Sequence, residues 1–275
     1  MADVLVVARP NLDRVWRLAS PLAPGGRSSY ERVEDRYGGG GFFTGAALIA
    51  LGHRVRLVAT LADDAQGRAF RDDLIKMGFD LENVKMVAGR TIPVEVLIDP
   101  SGERTIIVSA LAEHAPVAAL PPAAADVVYV NARRLEPRVM EAAMKRSLVV
   151  AQAPLEPDQR RPCHVLVASR SDLTAAQLAD PSAFSRAVAG EAMEAFVLTD
   201  GALPVRIFSA AGEVGIPVAP VAPIEDSSGA GDVFCAGLID ALIRRQSIAD
   251  SVRFGGDRAA RFLIDRTNLF EASTA

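Results

Sequence analysis

Asp226-Ser-Ser-Gly229-Ala-Gly231-Asp232 leads directly into Val233-Phe-Cys-Ala-Gly-Leu-Ile-Asp-Ala-Leu-Ile243, a glycine-bearing turn that opens a buried helix. The glycines allow a tight turn that draws the N–H groups of residues 229 to 232 towards one point, where the helix dipole also favours negative charge. A phosphate suits that place. An aspartate at the mouth of an anion hole repels a resting phosphate, so Asp232 is better explained as a base taking a proton from an incoming hydroxyl. Anion hole plus base points to phosphoryl transfer; the plainer reading is an N-capping aspartate in a structural turn.

The rest of the chain builds a scaffold for this turn. Val4 to Ala8 reads as a buried strand delivering Asn11 and Asp13 to its end, either as ligands or as an Asx turn. Residues 14 to 37, with Pro21, Pro24, Gly25 and Gly26, suit a small strand-rich excursion. Gly38 to Gly41 form a glycine-rich turn before an apolar helix ending at Gly52. Val55 to Leu61 reads as a strand and Asp64 to Met77 as an amphipathic helix closed by Gly78. Val94 to Ile98 and Arg104 to Val108 flank a hairpin turn and, with residues 14 to 37, would make a small separate sheet, a lid of about 12–37 and 92–110 inserted in one domain spanning 1–275. From Asp126 onwards strands and helices alternate, which argues for a mostly parallel sheet covered by helices on both faces. Val205 to Phe208 and Glu213 to Val221 read as an antiparallel pair, the second an edge strand because of Pro217 and Pro220. Helices over 232 to 245 and 248 to 264 close the fold, with Gly255-Gly256 an interruption or a point of close contact.

Composition narrows the function. The 275 residues are 50% apolar, enough for a substantial core, and carry a net charge of −4 with no basic run, which disfavours nucleic-acid and membrane-surface roles. No 18-residue apolar stretch or secretory leader pattern is visible, so the chain is expected to be cytosolic. Cys163 and Cys235 are distant from each other and match neither a disulfide framework nor a zinc pattern. The expected partner is a small molecule.

The Asp226 to Asp232 segment resembles the D-[ST]-[ST]-G-A-G-D signature of the PfkB, or ribokinase-like, carbohydrate kinases. Asn11 and Asp13 after the first strand, the glycines at 38 to 41, the Leu61-Ala-Asp-Asp-Ala-Gln-Gly67 segment and the Ser101-Gly-Glu-Arg104 hairpin follow in the family's order, so the resemblance spans nearly the whole chain. It implies a three-layer α/β/α sandwich with a mostly parallel central sheet and a small β-sheet lid. It implies Asp232 as catalytic base, with Gly229, Ala230 and Gly231 forming the anion hole, and Asn11, Asp13, Gly39, Gly40 and Gly41 as sugar binders. ATP would be held by Ser169, Thr199, Gly201, Gly229, Gly231, Gly256 and Ala260. Mg²⁺ would be met through water by Asp172, and K⁺, in members that use it, near Asp226. The lid's exposed sheet face offers a surface for a second subunit, so a homodimer is the expected assembly.

Some positions depart from the pattern. Pro204 replaces the second glycine of the nucleotide loop, Ser169-Arg-Ser-Asp172 stands for N-x-x-E, and Phe42-Phe43 follows the glycines where a polar residue is usual. Arg27 and Arg133 are candidates for holding an anionic group on the sugar, because guanidinium donates two parallel hydrogen bonds to carboxylate, sulfonate or phosphate; solvent-facing arginines or internal ion pairs are the alternative. No lysine follows either glycine cluster, against a Walker-type ATPase, and no G-x-S-x-G elbow occurs, against a serine hydrolase. The expected activity is ATP-dependent phosphorylation of a hydroxymethyl group on a sugar or sugar acid. A non-catalytic sugar- or nucleotide-binding protein of the same fold, and a nucleoside or vitamin kinase, are the alternatives.

Overall fold

In β1 (Asp3–Val7) successive side chains serve two different cores: Val4 and Val6 pack in one cluster, Leu5 and Val7 in another. The same alternation divides Val127 and Tyr129 from Val128 and Val130 in β8 (Val127–Val130), and Val165 and Val167 from Leu166 and Ala168 in β10 (Val165–Ser169). A strand's period of two puts consecutive residues on opposite faces, so these uninterrupted apolar runs mark a sheet buried on both sides. The computed structural model describes residues 1–110, 117–156, 159–222 and 224–270.

The sheet runs β13-β12-β11-β10-β9-β8-β1-β4-β5, with β4 at Arg54–Ala62, β5 at Val84–Val87, β9 at Leu148–Gln152, β11 at Ala195–Asp200, β12 at Leu203–Ser209 and β13 at Gly212–Ile216. Pairing is parallel from β11 to β5, and β12 and β13 add an antiparallel edge that stops at Ile216, one residue before Pro217. One face carries α1 (Gly39–Ala50), α2 (Ala65–Lys76), α6 (Ala230–Ile243) and α7 (Ile248–Ile264), whose Phe42, Phe43, Phe70, Phe234 and Phe262 fill its core. The other carries α3 (Pro137–Met144) and α5 (Pro181–Ala189) through Met140, Val188 and Ala189, with the short α4 (Ala175–Ala179) alongside. The result is a three-layer α/β/α architecture.

A second, four-stranded sheet has the order β3-β2-β6-β7, with β2 at Asn11–Leu18, β3 at Tyr30–Gly38, β6 at Val94–Ile98 and β7 at Arg104–Ile107. Val15, Val94, Val96 and Ile98 give it a small core of its own. Three local expectations change. Asn11 opens a strand rather than an Asx turn: after a bend at Ala8 and a short connection it begins β2 in the second sheet. The glycines at 39 to 41 form the first turn of α1 rather than a loop before it, and Gly41 N–H donates to the Arg9 carbonyl at 3.1 Å. Helix α7 runs through Gly255-Gly256 unbroken; a Cβ on Gly255 would lie 2.7 Å from the Phe234 carbonyl oxygen, so the glycine serves close packing of α7 on α6. Strand β5 was not anticipated; its Val-Lys-Met-Val alternates exposed and half-buried positions at the sheet edge.

Candidate active site

Helix α6 starts at Gly229, its N-cap, where φ is +84° and a Cβ would lie 2.7 Å from the Phe43 ring, so both backbone and packing require glycine there. The departure Phe43 thus forms the floor beneath the turn. Ala230 N–H donates to the Ser227 carbonyl at 3.2 Å, while the other N–H groups at the start of the helix have no intrahelical acceptor, which makes them available to an anion. Asp232 lies in that turn, half-buried, and its Oδ1 accepts from the Asn131 side-chain amide at 3.3 Å. A Cβ on Gly40 would approach Asp232 Oδ1 to 2.9 Å and the Asn131 amide nitrogen to 2.3 Å, so α1 meets α6 edge to edge at this carboxylate. Desolvation pushes the Asp232 carboxyl up to about 6, with the Arg104 charge and the Asn131 bond opposing and the Asp13 charge adding. A base with that affinity is ionised at neutral pH yet takes a proton readily.

On the other side of α1 lies the group of residues expected to hold the acceptor. Asp13 is buried against Gly38, and desolvation raises it to about 6 while Arg36 and Arg266 oppose and Asp226 adds. The Asn11 amide packs on Gly39, and its Oδ1 is buried without a hydrogen-bond donor. Asn11, Asp13, Gly39 to Gly41, Asn131 and Asp232 therefore converge on the N-terminal ends of α1 and α6. Arg27 and Arg133 do not join them. Arg27 is exposed in the connection between β2 and β3, and Arg133 is exposed with its Nε on Glu156 at 2.8 Å, a carboxylate it shares with Arg134. A guanidinium beside an accessible carboxylate pairs with it, which is what sequence alone could not foresee.

The residues expected at the nucleotide sit on neighbouring strand ends. Ser169 at the end of β10 is in register with Thr199 of β11, whose hydroxyl donates to the Ala168 carbonyl at 3.2 Å. Gly201, with φ of +55°, turns β11 into β12, and Pro204 is accommodated within β12. Arg170–Asp172 form a 3-10 turn in which the Asp172 carboxyl is raised by desolvation and lowered by Arg104. Gly256 and Ala260 lie half-buried on α7, and a Cβ on Gly256 would meet open space. A separate shallow depression bordered by Asp3, Asp126, Leu148, His164 and Glu194 lies at the opposite, N-terminal ends of the strands, the end that open parallel sheets do not use for ligands.

At the start of the turn the electrostatics reverse. Asp226 is buried, and desolvation alone would raise it, but the hydrogen bond from Arg36, the charges of Arg266 and Arg36, and the Ser228 N–H at 2.8 Å hold it below the usual carboxylate range. Arg17 and Arg266 stand at 3.6 Å from the same Oδ2. Three guanidinium groups already surround this carboxylate, so the residues present do not fit a monovalent cation beside Asp226. The second sheet supplies Arg17 and Arg36, and it grips the turn elsewhere too: Arg17 donates to the Glu225 carbonyl at 2.7 Å, and Arg104 donates to the Ser227 carbonyl and hydroxyl, each at 2.9 Å. Asn131, Arg104, Arg17, Arg36 and Arg266 were not named from sequence. Two of them carried a signal: Arg17 is four residues beyond Asp13 on the same strand face, and Arg36 is directly opposite Asp13 in register.

A family model described as pfkB family carbohydrate kinase matches residues 1–269. The chain belongs to that family. As a pfkB family carbohydrate kinase it is an enzyme of an ATP-dependent class, and its fold is that of the ribokinases. It is 32% identical over 108 residues to an ATP-dependent ribose-1-phosphate kinase of Halopiger xanaduensis, a match covering 39% of this chain and 36% of that protein. A Burkholderia thailandensis nucleoside kinase in complex with inosine superposes with a TM-score of 0.76 at 15% identity, covering 98% of this chain and 93% of that one. Arabidopsis thaliana ribokinase complexed with ribose and ATP gives 0.72 at 19% identity, covering 96% and 93%. At these identities the superpositions speak for the fold. Among the described residues no helix is long and apolar enough to cross a membrane.

Proposed function

We propose that this pfkB family kinase transfers the γ-phosphoryl group of ATP to a hydroxymethyl group of a sugar, with Asp232 as the base. The observation that carries the reading is the Asp232 carboxyl itself: raised to about 6, bonded to Asn131, and set in the first turn of α6. Asn11, Asp13 and the first turn of α1 orient the acceptor so that one hydroxyl faces Asp232. Asp232 takes the hydroxyl proton as the acceptor oxygen bonds to the γ-phosphorus, and the bond from that phosphorus to the β,γ-bridging oxygen breaks, releasing ADP. The amides of residues 229, 231 and 232 receive the charge on the transferring group, and Arg104, whose field already reaches Asp232, adds a cation beside them.

Ser169, Thr199, Gly201, Gly256 and Ala260 border the place for the nucleotide. A lone carboxylate at Asp172 fits an Mg²⁺ held mainly by phosphate oxygens and water, which would neutralise phosphate charge during transfer. The second sheet acts as a lid in this reading, excluding water from the reacting phosphate through its contacts with residues 225 to 227. Its outer face leaves Tyr30, Val33 and Ile107 exposed, which supports a homodimer paired through the lid. The substrate in the Halopiger relative's name is a phosphorylated pentose, which supports a sugar acceptor and keeps an anionic one in view.

The test is ADP release from ATP and Mg²⁺ across neutral sugars, sugar acids, sugar phosphates and nucleosides, with ³¹P NMR of the product. At least one sugar is expected to raise ADP release about 100-fold or more over the acceptor-free rate and to emerge phosphorylated at a former hydroxymethyl group. Stimulation by nucleosides alone, or by no acceptor, would refute the assignment.

A further inference from the structure

Among the described residues, Arg9 is a half-buried cation near the site whose side chain meets no counter-charge. Arg36 has Asp226, Arg56 has Asp3 and Arg14 has Asp35. The Arg9 side chain, where β1 passes into β2, makes no hydrogen bond or ion pair among the described residues, and desolvation alone lowers its pKa, with no carboxylate acting on it. Holding a guanidinium partly out of water without a counter-charge costs free energy that an incoming anion recovers.

Arg9 lines a small cavity of about 40 Å³, bordered also by Asn11, Gly67, Arg90 and Thr91. That is room for a group of a few heavy atoms. Arg90 stands exposed at the wall and is likewise without an acidic partner among the described residues, none of which brings an acid to the cavity lining. The acids of the adjoining 63–64 segment are committed elsewhere. Asp63 pairs with Arg68 at 2.6 Å; Asp64 accepts from Gly67 N–H, Thr91 N–H and the Thr91 hydroxyl, each at 2.7 Å, which fixes the cavity's far wall. Asn11 belongs to both places: it borders this cavity, and its amide packs on Gly39 at the start of α1, where its orphaned Oδ1 awaits a hydroxyl donor. One molecule of sugar size can therefore touch the cavity and the proposed acceptor site together.

We infer that the acceptor is an anionic sugar whose phosphate, sulfonate or carboxylate sits between Arg9 and Arg90, with Asn11 linking that group to the hydroxyl that faces Asp232. The inference rests on the acceptor site proposed above and names its substrate class. Two arginines lining one small cavity suit such an oxyanion, and the arrangement gives Arg9 its missing counter-charge. Arg27 and Arg133 play no part in it.

The test has two arms. In the first, inorganic phosphate is titrated calorimetrically into the wild type, Arg9→Ala, Arg9→Lys, Arg90→Ala and the double alanine variant, with melting curves confirming folding. Arg90 is exposed, so its variant keeps the inference testable even if Arg9→Ala does not fold. Phosphate is expected to bind the wild type in competition with the acceptor and to bind about tenfold more weakly in each alanine variant, a loss of about 1.4 kcal/mol. In the second arm, ribose and ribose 1-phosphate, which share one free hydroxymethyl group, are compared as acceptors. The wild-type preference in kcat/KM for the phosphorylated sugar is expected to fall about 100-fold in the double variant, mostly through KM, with Arg9→Lys recovering part of it. Equal phosphate binding by wild type and double variant, phosphate that activates without competing, or an unchanged preference would overturn the inference. Turnover of neutral sugars by a wild type that binds no phosphate would sink the subsite and leave the kinase reading standing. Phosphate binding lost in the variants, with no sugar phosphorylated, would support the anion site and sink the kinase reading.

Discussion

Asp226 and Asp232 belong to one turn, six residues apart, and their surroundings drive them in opposite directions. Asp226, its side chain 1% exposed, is ringed by Arg36, Arg17 and Arg266 and held as a carboxylate below the ordinary range. Among the described residues Asp232 has no guanidinium in contact; desolvation raises it to about 6 against the more distant charge of Arg104 and the Asn131 bond, with the Asp13 charge adding. Burial acts the same way on both; the charges placed around them decide the outcome. A carboxylate clamped by cations is a poor proton acceptor and a good anchor, and one left desolvated and unpaired is the reverse. The turn thus separates a structural end, where the second sheet grips the chain, from a chemical end, where a proton can move.

Removing each carboxylate tests that division. Asp232→Asn is expected to lower kcat about 1000-fold while the Kd for ATP, measured by calorimetry, stays within about twofold; loss of ATP affinity with kcat preserved would reverse the roles given to the two ends. Asp226→Asn leaves three guanidinium groups without their shared anion, so it should cost stability, about 3 kcal/mol by denaturant unfolding. Were Asp226→Asn as stable as wild type, the clamp would carry no weight. Arg104→Ala removes the cation between the two ends and should lower kcat about 10- to 100-fold, with a smaller change in stability because the side chain is exposed. A variant with normal kcat would confine Arg104 to packing on Ser227.

The contrast between the two aspartates also marks what the sequence could show. The parallel sheet was readable because strands such as Val4 to Val7 and Val127 to Val130 are apolar on both faces, and helix ends were readable from Asp64, an N-cap bonded to Gly67, and Gly78 with its positive φ. Asp232 was readable because a carboxylate beside two glycines at a helix start has few other uses. Long-range charge was not readable. Arg17, Arg36 and Arg266 come from distant parts of the chain and meet at Asp226 only through the fold. Arg133, which looked available, meets Glu156, whereas Arg9 meets no acid among the described residues. In an arginine-rich chain, which guanidinium is free depends on which acid the fold places opposite it. Of the two readings of Asn11, the Asx turn failed for a local reason: the residue opens strand β2 instead of turning the chain.

The central claim is that Asp232, and not its partner at the start of the turn, exchanges the proton. Its most direct measurement is kcat against pH at saturating ATP and acceptor, for wild type and Arg104→Ala. The account predicts a rise in kcat through a midpoint near pH 6 in the wild type, reflecting ionisation of Asp232. Because the Arg104 charge lowers that value, the midpoint should move to higher pH when Arg104 is removed. A kcat that stays level from pH 5 to 8 in the wild type, or a midpoint that Arg104→Ala leaves in place, would contradict it.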